Sequence, residues 1–173
     1  MYSLVHDPWT HRLSANVEEI QARCIGRLYF SSVRAINPLR LVRIMPIETK
    51  LLPGLIWITI SGDVLAGEFC LHASELERIE SGCDVSPNRF TDLSENVSNP
   101  SYEAMSNFAV VRTVAMLKNK VKSAVFAPSD YQFGMARMFQ GLNFNPEIEV
   151  RVFRDKAEAL EWVGWVSPEN PKA

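Results

Sequence analysis

The pattern that most constrains the fold lies near the end of the chain, where an alternating segment is followed by a short helical one. Residues 147–153 alternate polar and apolar side chains, which is typical of a half-buried β-strand. Asp155 is suited to cap the helix that follows, because Glu158 stands three positions later, and Gly164 supplies a stop. This order predicts the closing strand and helix of an α/β domain.

Strand and helix patterns alternate through the whole region from Met45 onward. Two apolar segments separated by the turn dipeptide Pro53-Gly54 predict an antiparallel hairpin. The predicted strands are 47–52, 55–60, 88–93, 123–127 and 147–153, and the predicted helices are 65–80, 99–118, 129–142 and 154–164. Strands that alternate with crossover helices are typical of a parallel sheet. The predicted architecture is a single α/β domain with a mixed, mostly parallel sheet, an N-terminal antiparallel hairpin and packed helices, in the order ββαβαβαβα.

The composition excludes several classes of protein. Of the 173 residues, 47% are hydrophobic and 22% are charged, which suits one ordinary soluble domain. The formal net charge of -2 provides no overall basic field, so we expect no nucleic-acid partner. No apolar run reaches the roughly 20 residues that span a bilayer, so we expect no stable membrane insertion. The three cysteines match no zinc or redox spacing, so we expect reduced thiols and a cytoplasmic protein.

Charge divides the chain into unequal parts. Residues 1–44 hold six basic and three acidic side chains, for a net +3, whereas residues 45–173 hold twelve basic and seventeen acidic ones, for a net -5. We expect an N-terminal extension over 1–44, a domain over 45–166 and a C-terminal tail over 167–173. The extension has three alternatives, namely a loosely packed segment, an accessory helix packed on the domain, and a basic amphipathic helix for a membrane or partner.

Five segments of the chain share their order and spacing with a known protein family. They are LIWITISG (55–62), FTDLS (90–94), SAVFA (123–127), VRVFRD (150–155) and ALEWV (159–163). Together they resemble the SpoIIAA-like branch of the STAS superfamily over about residues 45–164. The resemblance implies a small mixed sheet with packed helices and a non-enzymatic binding role. Anti-sigma antagonists of this superfamily carry a phosphorylatable serine in an Asp-Ser-Ser-Gly-like turn, whereas the turn over 92–101 contains Ser94 without that signature.

Two groups of residues are candidate sites. The predicted helix 129–142 carries more aromatic and methionine side chains than one inward stripe needs, which favours either core packing or a surface for a partner or apolar ligand. Its candidate surface residues are Tyr131, Phe133, Met135, Arg137 and Met138. Asp92, Ser94 and Asp130 could form a second site, since ligands of open α/β sheets bind at the carboxyl ends of strands. Asp130 is equally suited to the first turn of a helix.

The sequence offers no complete catalytic, metal or cofactor site. It contains no glycine-rich phosphate loop. His72 is the one histidine of the predicted domain, and we expect it on an exposed or intermediate part of a helix, without a nucleophile beside it. We therefore expect a non-enzymatic binding or regulatory module that acts through a protein partner or self-association, with a homodimer as one form. The alternative is a small apolar-ligand or lipid carrier with a pocket between the sheet and the helices.

Overall fold

The computed structural model describes residues 46–98 and 102–166 of the chain. Its strands are β1 (Ile47–Leu52), β2 (Leu55–Gly62), β3 (Asn88–Asn96), β4 (Val121–Phe126) and β5 (Ile148–Phe153). Its helices are α1 (Ala66–Gly82), α2 (Tyr102–Thr113), α3 (Asp130–Leu142) and α4 (Lys156–Trp162). The predicted order ββαβαβαβα is confirmed. The predicted extension over 1–44 and the tail over 167–173 lie outside the described residues.

The strands form one sheet in which their order is the order of the chain, β1-β2-β3-β4-β5. β1 pairs antiparallel with β2 across the Pro53-Gly54 turn. Gly54 has a φ of 75°, a conformation that favours glycine at the third position of such a turn. All the other pairings, from β2 to β5, are parallel. The predicted mixed sheet with an N-terminal hairpin is therefore confirmed.

The two faces of the sheet are covered by different helices. The larger apolar cluster lies beneath α1, α2 and α3, and its strand residues are Ile56, Ile58, Ile60, Leu93, Val125, Ile148 and Val150. The smaller cluster lies beneath α4 and consists of Leu55, Phe90, Ala124, Ala159 and Val163. Right-handed crossovers between neighbouring parallel strands place successive helices on one face, which explains the position of α1, α2 and α3. Among the described residues, α4, which follows the last strand, is the one helix that covers the opposite face.

Local hydrogen bonds explain why α3 and α4 begin where the sequence predicts. The Ser129 hydroxyl accepts from the backbone N–H of Gln132 at 3.2 Å, and the Gln132 side chain accepts from the Ser129 N–H at 3.1 Å. The Asp155 carboxylate accepts from the Glu158 N–H at 2.9 Å. Beyond α4, Gly164 has a φ of 74° and ends the helix as predicted.

β3 is longer than its pattern predicts. It continues to Asn96 rather than ending at Leu93, so Ser94 lies in a strand and not in a turn. The pairing with β2 shifts register near this point, and Asn96 still pairs with Gly62 at the end of β2. The predicted turn over 92–101 is therefore wrong in its first half, because backbone pairing with β2 continues through polar residues that resemble a loop.

Helix α2 is shorter than predicted at its C-terminal end. It ends at Thr113 rather than near residue 118, so Val114 lies beyond the helix, and it is exposed. The Asn145 side chain donates to the backbone carbonyls of Arg112 and Ala115, each at 3.0 Å. A side chain from a distant loop thus binds the last carbonyl groups of α2, which local sequence could not show.

Helix α1 buries polar side chains that its pattern places outside. Glu68 and Glu80 are buried, and His72 is buried rather than exposed or intermediate as predicted. Leu65, expected to point inward, is exposed because it is the N-cap residue. The cause is that α1 packs on α2 as well as on the sheet, so more than one stripe of its surface is covered.

The structure also bears on two expectations drawn from composition. No helix within 46–98 and 102–166 is both long and apolar enough to cross a bilayer. The expectation of reduced thiols is wrong for Cys70, which is disulfide-bonded, whereas Cys83 is a free, half-buried thiol. Sequence spacing alone cannot show which cysteines meet in space. Cytoplasmic localisation therefore stays a prediction, without support from the state of the thiols.

Candidate functional site

A cavity of about 100 Å³ lies between the sheet and helices α1, α2 and α3. Most of its wall is apolar. Its apolar lining includes Ile58, Phe69, Leu76, Met105, Phe108, Val125, Phe139 and Val150. Its polar lining includes His72, Arg89, Ser123, Arg112 and Asn143. The cavity is therefore an apolar space with charged and hydrogen-bonding groups on part of its wall.

Two arginines of the cavity wall share one glutamate. Arg112 Nη2 donates to Glu80 Oε2 at 2.7 Å, and Arg89 Nη2 forms an ion pair with Glu80 Oε1. Arg89 is 4% exposed, Arg112 2% and Glu80 3%. Two guanidinium groups thus meet one carboxylate in the interior. These three side chains, which we call the arginine cluster, carry a net charge of +1 between them.

The arginine cluster also leaves hydrogen-bonding groups unsatisfied. Within the part of the chain that the structure describes, Arg89 Nε, Arg112 Nε and Asn143 Oδ1 are buried without a hydrogen-bond partner. Arg89 Nη2 and Glu80 Oε1 form an ion pair with each other. Buried polar atoms are nearly always paired in folded proteins, and each unpaired one costs roughly 1–3 kcal/mol. The cavity wall therefore has unused donors and one unused acceptor.

Three different elements bring the arginine cluster together. Arg89 occupies an inward position of β3, where Thr91 and Leu93 follow it on the same face, since side chains of a strand alternate. Arg112 lies in the last turn of α2, a position where the helix dipole favours a cation. Glu80 stands four positions after Leu76 on α1. In the two helices, the sequence signal for this site was a charged residue that continues an apolar stripe, whereas the face of β3 gives no such signal because Thr91 follows Arg89 on it.

Burial and the positive charges of the arginine cluster lower the pKa values of His72 and Arg89. Burial, with the charges of Arg112 and Arg89, lowers the pKa of His72 to about 3, so that its ring is neutral at pH 7. Burial and the nearby Arg112 lower the pKa of Arg89 to about 10, against the opposing effect of Glu80. Arg89 therefore stays charged at neutral pH. The imidazole of His72 stacks on Phe108, with ring centroids 6.0 Å apart.

The structure divides the predicted surface residues of α3 between two environments. Phe133, Met135 and Met138 are half-buried and pack against the larger apolar cluster, and Met135 also lines the cavity. Tyr131 and Arg137 are exposed. The surplus of apolar side chains on α3 is therefore directed mainly into the domain, and one of the predicted residues reaches the cavity.

The predicted strand-end residues are brought together in part. Asp92 Oδ1 accepts from the N–H and the hydroxyl of Ser94 at 2.9 and 2.6 Å, and Asp92 Oδ2 accepts from Lys156 Nζ at 2.8 Å. Asp130 is exposed and pairs with Arg154 at 2.6 Å. Lys156 is the first residue of α4, so its bond to Asp92 fastens that helix to the sheet. These contacts give Asp92 and Ser94 a structural role.

The electrostatics of Asp92 agree with such a structural role. Burial by itself would raise the pKa of the Asp92 carboxyl group, but hydrogen bonds from Lys156 and Ser94 outweigh it and the pKa is lowered. Asp92 is therefore a carboxylate at neutral pH.

Within 46–98 and 102–166, no three histidine, cysteine, aspartate or glutamate side chains are grouped so that they could hold a metal ion.

Comparison with known proteins yields a likeness of fold. No protein-family model and no curated protein matches the chain. Among solved structures, the chain is similar to an uncharacterised protein of the DUF3478 family from Shewanella loihica, which is described as having a SpoIIAA-like fold. The two are 18% identical over 68% of this chain and 91% of that chain, with a TM-score of 0.47. The likeness concerns the fold alone. The SpoIIAA-like fold described for that protein is the one that the sequence resemblance implied.

Proposed function

We propose that this protein is a non-catalytic module that binds a small, largely apolar molecule in the cavity beneath α1, α2 and α3. The observation that supports this function is the cavity itself, with a mostly apolar wall and a few polar groups on it. Ligand sites in soluble proteins have the same composition, because apolar walls supply affinity and a few polar groups fix orientation. Voids left by imperfect packing are few and apolar in comparison.

The volume of the cavity limits what it can hold. A cavity of roughly 150 Å³ lined by apolar side chains binds benzene. Benzene has six non-hydrogen atoms, so a volume of about 100 Å³ limits the ligand to a compact molecule of at most about six non-hydrogen atoms. A long-chain lipid would need the helices to separate from the sheet. Of the two carriers considered from the sequence, the small apolar-ligand carrier fits better than the lipid carrier.

The polar groups of the cavity wall do not form a catalytic pair. His72 is neutral and Ser123 also lines the cavity, but no hydrogen bond joins the two within the described residues. The contact of His72 Nδ1 is with Thr49 Oγ1, at 3.4 Å. Nucleophilic catalysis requires a base within hydrogen-bond reach of the nucleophile. This arrangement supports a binding function rather than an enzymatic one.

The function first expected from the sequence, contact with a protein partner or self-association, is supported by fewer residues. Tyr131 and Arg137 remain exposed on α3, whereas Phe133, Met135 and Met138 pack against the core. Two exposed side chains are a small part of a stable interface, which usually includes about 20–30 residues on each side. We therefore place ligand binding before protein contact.

A cavity-filling variant tests the proposed function. Ala136 lines the cavity and is fully enclosed, so Ala136→Met should occupy the space that a ligand would take. Ala157→Met is the matched control, since Ala157 is exposed on α4. Small compounds that bind should raise the midpoint of thermal unfolding of the full chain and of Ala157→Met, but not that of Ala136→Met. Equal responses in all three proteins would contradict binding in this cavity, as would the absence of any response.

A further inference from the structure

We infer that the ligand is a small organic anion whose carboxylate lies against Arg89 and Arg112 and whose apolar part lies against the core. This inference rests on the proposed function, because it names the chemistry of the molecule that the same cavity would bind. It specifies the charge of the ligand and its orientation in the cavity. Two features of the arginine cluster support it, namely its charge and its unpaired hydrogen-bond donors.

The first basis is charge. Arg89 and Arg112 share the single carboxylate of Glu80, and all three side chains are buried. His72, the other titratable group on this part of the wall, is neutral at pH 7. A buried charge without a partner is costly, since the interior solvates it poorly. A monoanion in the cavity would balance the cluster, whereas a neutral or cationic ligand would not.

The second basis is hydrogen bonding. Arg89 Nε and Arg112 Nε are buried donors without a partner among the described residues. A guanidinium group presents its Nε and an adjacent Nη in a planar fork, which matches the two oxygens of a carboxylate. One carboxylate could therefore accept from the unused donors of both arginines. Asn143 Oδ1, an unpartnered acceptor on the same wall, suits a water molecule or a ligand hydroxyl beside the carboxylate.

The apolar part of the wall distinguishes an organic acid from an inorganic anion. Phosphate or sulfate could bind the arginines but would leave the side chains of Phe69, Met105 and Phe139 facing water. Apolar burial contributes about 25 cal/mol for each Å² removed from water. The volume allows a short, branched carbon body beside the carboxylate. Isobutyrate has this form and is the probe that we choose.

The test compares four probes on the full chain, in a buffer without carboxylates. Isobutyrate, isobutyramide, isobutylamine and inorganic phosphate are titrated by NMR or calorimetry. We expect isobutyrate to bind at least about tenfold more tightly than isobutyramide, which has nearly the same shape but no charge. Equal binding of isobutyrate and isobutyramide would overturn the proposal that the ligand is an anion, while the proposed binding of a small molecule would remain. Tighter binding of phosphate than of isobutyrate would overturn the proposal that the ligand is an organic acid. If none of the probes binds, both the proposed ligand and the proposed binding function are overturned.

A charge-balancing variant locates the effect. Arg112→Met leaves Arg89 and Glu80 as a one-to-one pair, so we expect at least about tenfold weaker binding of isobutyrate and unchanged binding of isobutyramide. Arg78→Met is the matched control, because Arg78 is an exposed arginine on α1. Unchanged isobutyrate affinity in Arg112→Met would contradict the assignment. If Arg112→Met fails to fold, the comparison of acid and amide on the unaltered chain still decides the question.

Discussion

Glu80 and Arg112 meet at 2.7 Å in the interior of the protein and join the end of α1 to the end of α2. Arg89 of β3 pairs with the other oxygen of the same carboxylate, so one glutamate connects two helices and the sheet. An ion pair in this position is sensitive to the loss of a single partner, because the remaining charge stays buried. Several predictions about stability depend on this geometry and on the contacts of Asp92 and α3.

Glu80→Gln should destabilise the protein strongly. The change removes the carboxylate that both buried arginines contact, and breaking a buried ion pair in this way typically costs about 3–5 kcal/mol. The free energy of unfolding from urea denaturation measures the effect. Glu77→Gln, at an exposed position of the same helix, should change it by less than about 0.5 kcal/mol. Similar small losses in both variants would mean that Arg89 and Arg112 are not held by Glu80.

His72 should make the protein less stable as the pH falls from 7 to 5. Its pKa is about 3 in the folded protein, against an ordinary value of 6.5, so below pH 6.5 the unfolded chain binds a proton that the folded protein excludes. The expected loss by pH 5 is about 2 kcal/mol. The charged groups that act on the ring are Arg112 and Arg89, which lower its pKa, and Glu75, which raises it.

The control for this pH dependence is His72→Gln, which removes the titrating group. The free energy of unfolding of both proteins is measured at pH 7 and at pH 5, and the difference between their pH slopes isolates His72 from the other titrating groups. The variant should lose clearly less stability over this interval than the unaltered chain. Parallel slopes would show that His72 takes up its proton equally in the folded and unfolded protein.

Ser94→Asp should lower stability more than Ser94→Ala. The alanine variant loses the hydroxyl hydrogen bond to Asp92, which is worth about 1 kcal/mol. The aspartate variant loses the same bond and places a second negative charge beside the Asp92 carboxylate. Unfolding at low and high salt separates the two effects, because salt screens only the repulsion. Equal stability of the two variants at low salt would contradict a direct contact between positions 92 and 94.

Met135→Glu distinguishes core packing from a partner surface on α3. Because Met135 is half-buried against the core and the cavity, a carboxylate there should destabilise the fold by a few kcal/mol. Tyr131→Glu is the comparison at an exposed position in the first turn of α3, and it should be nearly neutral. Circular dichroism and solution mass measure fold and assembly. A folded Met135→Glu protein of lower mass than the unaltered chain would favour a self-association surface instead.

The parts of the fold that were predictable depend on local interactions. Asp155 caps α4 through a residue three positions away, and Ser129 does the same for α3. The turn at Gly54 needs only the conformation of one glycine. Such signals lie within a few residues of one another, so a single sequence displays them. The parallel pairing from β2 to β5 followed from the alternation of strands and helices.

The candidate site was not predictable in the same way. Glu80, Arg89 and Arg112 come from three elements, and their contact depends on how α1 and α2 pack across the sheet. Each residue alone is a charged side chain, for which an exposed position is the ordinary expectation. The end of α2 shows the same limit, because its carbonyl groups bind Asn145 from a distant loop.

The strand order of the sheet has a consequence for how the protein is made. Within residues 46–98 and 102–166, every strand pairs only with the strands next to it in the chain, from β1 through β5. Each of these strands therefore pairs with a strand that is synthesised directly before or after it. Each crossover helix can pack on strands that have already formed. Sheets that pair distant segments leave unpaired edges exposed for longer, which favours aggregation. This sheet can instead form one strand at a time, in the order in which the ribosome synthesises the strands.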